Sequence, residues 1–146
     1  MSSTSDFLTE EEKKRIVAAI AAAELKTIGE IRVHIENRCW IEAYKRGPQV
    51  FTQLGMQKTQ ERTGVLIYIA VKSRKMAILG DTGIDAKVEK GFWKSTLHHS
   101  LTCFKEGRNA DGIVDAINQC AAVLETHFPK TPGNPDELSN EISFGS

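Results

Sequence analysis

Gly64-Val65-Leu66-Ile67-Tyr68-Ile69-Ala70-Val71 runs for eight residues without a charge and is rich in β-branched and aromatic side chains. A continuous apolar run of this kind predicts a central strand covered on both faces, because a half-solvated strand would alternate. Lys72-Ser73-Arg74-Lys75 follows as a polar turn, and Met76 to Leu79 form a second short strand that ends at Gly80-Asp81. A connection of four residues is too short for a crossover, so the two strands make an antiparallel hairpin. Upstream, Glu30-Ile31-Arg32-Val33-His34-Ile35-Glu36 alternates strictly. Its apolar set is Ile31, Val33 and Ile35. The opposite face, Glu30, Arg32, His34 and Glu36, is either solvated or lines a polar site.

Helical patterns surround these strands. Thr9 and Glu12 form a capping box ahead of Ile16, Val17 and Ile20, and Gly29 is read as the stop. Residues 41–57 are helical in part, with Pro48 expected in the first turn of a second segment. Residues 85–106 and 110–128 read as two more helices, the latter barred from continuing by Pro129. The order α, β, α, β, β, α, α implies an α/β fold: a three-layer α/β/α sandwich, with a small mixed sheet and helices on both faces. A fourth short strand, in residues 38–42 or in the tail, stays open. One domain is expected over residues 1–129, followed by an extended or flexible tail over 130–146, with three of the four prolines falling between 129 and 135.

Composition narrows the function classes. The chain has 146 residues, and 19 basic residues balance 19 acidic ones. Neutrality argues against a dedicated nucleic-acid binder. The apolar run is far short of the roughly 20 residues a membrane span needs. Cys39, Cys103 and Cys120 show no zinc-binding spacing, and three cysteines cannot all pair, so a reduced, cytoplasmic protein is expected. The charge is uneven, however: residues 38–108 carry thirteen basic residues against six acidic ones.

Asp81 stands out within Gly80-Asp81-Thr82-Gly83-Ile84. Flanking glycines let backbone carbonyls approach closely, and oxygen donors suit a hard cation such as calcium. The same residues are what a tight turn demands. The calcium-loop pattern fails at its twelfth position, Phe92, so any ion site must be built from separate loops. Were the strands of Glu30 and Gly64 parallel neighbours, the hairpin would return Asp81 to the end where Glu30 and Glu61-Arg62 lie. Arg32 and Arg62 could there hold an anion, or pair with Glu30, Glu36 or Glu61. A helix N-terminus at Asp85-Ala86-Lys87 is a further candidate anion site. His99 and Cys103, at i and i+4, are read as surface or partly buried residues rather than metal ligands.

Taken together, Leu8-Thr9-Glu10-Glu11-Glu12, Gly29-Glu30-Ile31-Arg32-Val33, residues 62–70 and Ile78-Leu79-Gly80-Asp81-Thr82-Gly83-Ile84 resemble the TPM domain family. Phe92-Trp93, Phe104-Lys105-Glu106-Gly107 and His127-Phe128-Pro129 extend the likeness, which is nearest to small stand-alone bacterial members without a membrane anchor. The resemblance implies an α/β/α sandwich that binds calcium or magnesium through Asp81, Glu30 and Glu61. It implies an accessory or interaction role with a protein partner. The alternative is a metal-dependent, acid-phosphatase-like phosphomonoesterase, as associated with plant thylakoid-lumen relatives. Thr63 stands where the family has Asn. Residues 134–142 resemble a family motif in which Pro and Asp would replace Ser139 and Asn140.

Overall fold

The computed structural model describes residues 4–131 and 140–145. The elements are α1 (Thr4–Phe7), α2 (Glu10–Glu24), β1 (Glu30–Glu36), α3 (Ala43–Gln53), a 3-10 turn (Met56–Lys58), β2 (Gly64–Ala70), β3 (Lys75–Gly80), α4 (Thr82–Asp85), α5 (Phe92–Lys105), α6 (Asn109–His127) and β4 (Ser143–Phe144). The sheet order is β3-β2-β1-β4. β1 and β2 are parallel, β2 and β3 antiparallel, and β4 runs parallel to β1 beside His34 and Ile35. The mixed sheet and hairpin are therefore as read from the sequence, and the fourth strand comes from the tail.

Every residue of β2 is buried, as its uninterrupted apolar run requires. The pleat sends Val65, Ile67 and Ile69 into a large core with Ile31, Val33 and Ile35 of β1 and with Ile16, Ile20, Ile113 and Ile117 of α2 and α6. Leu66, Tyr68 and Ala70 face the other way, into a smaller core with Val50 of α3 and Met56. Helices thus cover both faces, and the three-layer sandwich stands.

Several boundaries differ from the sequence reading. α2 has its capping box, with Glu12 N donating to Thr9 Oγ1 at 3.1 Å and Thr9 N to Glu12 Oε1 at 2.8 Å. It ends at Glu24, before Gly29. α3 is one helix that runs through Pro48 rather than starting there. The ring forgoes one amide bond, but Gly47 packs against Leu79 and Val50 is fully buried, so packing overrides the local penalty. Of the expected helix over 85–106 only α5 forms; residues 86–91 separate it from the short α4, and Gly91 precedes it with φ 88°. No helix begins at Asp85-Ala86-Lys87, because α4 starts at Thr82, so that anion site is not formed.

The tail leaves α6 through an anchored junction. Thr27 and Pro129 form an isolated β-bridge, Ile28 N donates to Phe128 O, and Lys130 N donates to Lys26 O. Residues 132–139, with most of the predicted tail motif, lie outside the described residues.

Candidate functional site

Two ends of the sheet collect polar chemistry. At the amino ends of β1 and β2, Glu30 is in register with Gly64, and Asp81 N donates to Gly64 O at 2.9 Å. Glu30 N donates to Thr63 O and Gly83 N to Arg62 O. The backbone segments carrying Glu30, Glu61, Arg62 and Asp81 therefore share this rim. Glu30 and Asp81 are two strands apart, about 10 Å between backbones.

Asp81 is the N-cap of α4, and its carboxylate accepts from Thr82 N at 2.7 Å. Arg62 clasps the same carboxylate with both prongs, Nε to Oδ2 at 2.8 Å and Nη2 to Oδ1 at 3.1 Å. Its partner is thus Asp81, not Glu30, Glu36 or Glu61. Arg62 adopts a left-handed φ of 55°, and its side chain is 50% exposed. Gly83 makes this packing achievable: a Cβ there would lie 2.0 Å from Glu61 O and 2.6 Å from Arg62 O.

Glu30 is 2% exposed, and Glu61 projects to solvent. Between Glu30 and Asp81, Gly64 is capped by Phe51 and the Met56 carbonyl. Among the described residues, no group of three or more His, Cys, Asp or Glu side chains is placed to hold a metal ion. The donors at this rim are of the right chemistry for a hard cation, but the place of a cation on Asp81 is taken by Arg62. Arg32 lies one face position beyond Glu30, and its buried Nε makes no hydrogen bond.

At the carboxyl ends, His34 and Glu36 of the polar face of β1 are buried rather than solvated, and Arg46 of α3 reaches over to them. Glu36 accepts from Arg46 Nε at 2.9 Å and Nη2 at 3.0 Å, and from the Tyr68 hydroxyl. Its Oε1 also lies 3.1 Å from His34 Nε2, while His34 Nδ1 is 2.9 Å from Ser143 Oγ of β4. Burial alone would raise the Glu36 carboxyl, but the Arg46 guanidinium, the Tyr68 hydroxyl and His34 hold it down at about 2. Burial pushes the His34 pKa down despite the adjacent carboxylate. Burial, then the bond to Glu36, pushes the Tyr68 phenol up. With both ring nitrogens engaged, His34 bridges β1 to β4. The signal for this cluster was the polar alternation of β1 beside the one hydroxyl in the apolar run; its partner Arg46, on α3, had none.

The cysteines are free and buried, and burial pushes the Cys120 thiol up to about 12. His99 Nδ1 lies 3.6 Å from Asp115 Oδ2, and Cys103 is buried. No helix among the described residues is long and apolar enough to cross a membrane.

Comparison with known proteins agrees with this architecture. The structure is similar to the NMR structure of the BA42 protein from the psychrophilic bacterium Bizionia argentinensis. Identity is 43%, the TM-score is 0.89, and the match covers 99% of this chain and 100% of that one. It is also similar in fold to the N-terminal domain of a protein from P. gingivalis, at 14% identity and TM-score 0.70, over 84% of this chain and 79% of that one. No functionally curated protein matches the chain. The family model for the TPM domain matches residues 1–123, and the chain belongs to the TPM domain family.

Proposed function

We propose that this TPM domain is a divalent-cation-responsive accessory domain, with calcium or magnesium competing against Arg62 for Asp81. The observation that carries the reading is the bidentate Arg62–Asp81 pair: a buried carboxylate already holding a positive charge on a half-exposed side chain. Arg62 is half in water, so its guanidinium can return to solvent when a hard cation takes its place on the carboxylate. Asp81 would then be the primary oxygen ligand. Glu61 can turn inward from solvent, and Glu30 lies two strands away on the same rim. The output of such a rim is a change in the 61–64 and 81–84 backbone, suited to binding a protein partner.

NMR titration of the full chain with calcium and with magnesium tests this. Shifts should concentrate at residues 30, 61–64 and 81–84. Asp81→Asn should abolish them, and Arg62→Gln should tighten binding by removing the internal competitor. Saturating cation without localised shifts refutes the proposal. The phosphomonoesterase alternative would instead appear as aryl-phosphate hydrolysis that is lost on chelation and in Asp81→Asn.

A further inference from the structure

The carboxyl ends of β1 and β2 open onto a groove of about 940 Å³. Ligands of open α/β sheets bind at this end of the strands. The lining has an unusual charge pattern: Arg38, Lys72, Arg74, Lys75 and Lys105 contribute five cations, and no acidic side chain takes part. The neighbouring Glu106 is engaged by Arg108. Phe7, Val71, Leu101 and Phe104 supply apolar surface, with the two phenyl rings packed edge to face at 5.7 Å.

Beside the groove stands the loop between β1 and α3. Cys39 N donates to Ser73 Oγ, and Lys75 Nζ donates to the carbonyls of Cys39 and Ile41, so the loop is fixed to the β2–β3 turn. It presents Trp40, 81% exposed, and Ile41, 41% exposed, with Tyr44 of α3 at 46%. The Arg38 guanidinium, itself a groove residue, lies over the Trp40 ring at 5.5 Å. Glu42 is the exposed acid of this loop, and it faces Lys45 at 4.0 Å.

We infer that this end of the molecule docks on an anionic phospholipid surface. An apolar floor, a cationic rim and a protruding Trp and Ile reproduce the polarity order of a bilayer interface, where amphipathic rings sit at headgroup level and basic side chains meet anionic lipid. An acidic peptide would satisfy the cations but gives no role to the proud Trp40 and Ile41. A nucleic acid would leave the apolar floor unused. Docking of this sort needs no spanning helix. The reading is independent of the proposed cation site, which lies at the opposite end of the sheet.

The test is co-sedimentation of the full chain with phosphatidylcholine vesicles, with and without phosphatidylglycerol, while Trp emission is followed. Binding should require phosphatidylglycerol, weaken with added salt, and shift emission to the blue. Each basic residue near such a surface is worth about fivefold in affinity, so Lys72→Gln/Arg74→Gln/Lys105→Gln should lose roughly a hundredfold. Trp40→Ala should remove most of the blue shift, since the other Trp, Trp93, donates to Asp85 elsewhere. All four positions are surface ones, and an unchanged unfolding midpoint excludes misfolding as the cause. Equal binding to neutral vesicles, or phosphatidylglycerol binding that the triple variant retains, overturns the inference. So does capture by polyglutamate without any vesicle binding, which would assign the patch to acidic protein.

Discussion

The two ends of the sheet hold comparable side chains in different states. At the amino end, Arg62 meets Asp81 with one partner in water. At the carboxyl end, Arg46 meets Glu36 under α3, and Tyr68 and His34 complete the carboxylate's shell. The lesson is about cost. Arg62 can withdraw into water when another cation replaces it on Asp81, whereas Arg46 and Glu36 are both mostly buried and removing either strands the other. The amino end is therefore suited to exchange and the carboxyl end to rigidity.

The sharpest way to break this contrast is to delete one carboxylate at each end. Glu36→Ala strands the Arg46 guanidinium and leaves Tyr68 and His34 without their acceptor, and should cost about 3–5 kcal/mol in denaturant unfolding. Asp81→Ala loses a half-exposed pair and a cap, for about 1–2 kcal/mol. Equal losses would erase the distinction.

Acid should act on the carboxyl end. The His34 and Glu36 pKa values are both lowered in the fold, so the unfolded chain binds more protons and stability falls as pH falls. The loss begins near the ordinary His value of 6.5 and continues through the Glu36 window from 4.5 to about 2. The Glu36 part is roughly 3 kcal/mol. Urea midpoints measured across this range should flatten in the upper part for His34→Asn and in the lower part for Glu36→Gln. A pH-independent midpoint in the parent chain would contradict the buried cluster.

Gly83→Ala probes the amino end by shape. A Cβ pressed on the Glu61 and Arg62 carbonyls should cost about 2 kcal/mol and disturb the Arg62–Asp81 pair, visible as backbone NMR shifts at 61–64. Smallest is Tyr68→Phe. It removes one donor from Glu36 while keeping the ring in place, for about 1 kcal/mol. It should also remove the Tyr68 share of any loss of stability above pH 10, where the unfolded phenol ionises and the buried one resists.

How much of this was legible beforehand follows the range of the forces. β2, the hairpin and the capping box are written in contiguous residues, and each forms where its local pattern lies. α3 was misread at Pro48 because the decisive contact, Gly47 on Leu79, spans two layers. The convergence of Glu30, Glu61 and Asp81 on one rim was a deduction from strand direction, but the Arg62 clasp depends on a left-handed backbone that no local signal announces. The Glu36 cluster joins β1, α3, β2 and β4, and pairing at such separations is invisible to periodicity.

The Thr27–Pro129 bridge has a consequence for β4. Two paired residues make a poor strand alone, yet Ser143 and Phe144 are tethered to a chain already fastened at Pro129. Their pairing is thus unimolecular, against an effective concentration on the order of millimolar. A free peptide of residues 140–145 would have to reach that concentration to displace them, and loosening the fastening at Thr27 would lengthen the tether and lower that concentration with no change to their own side chains.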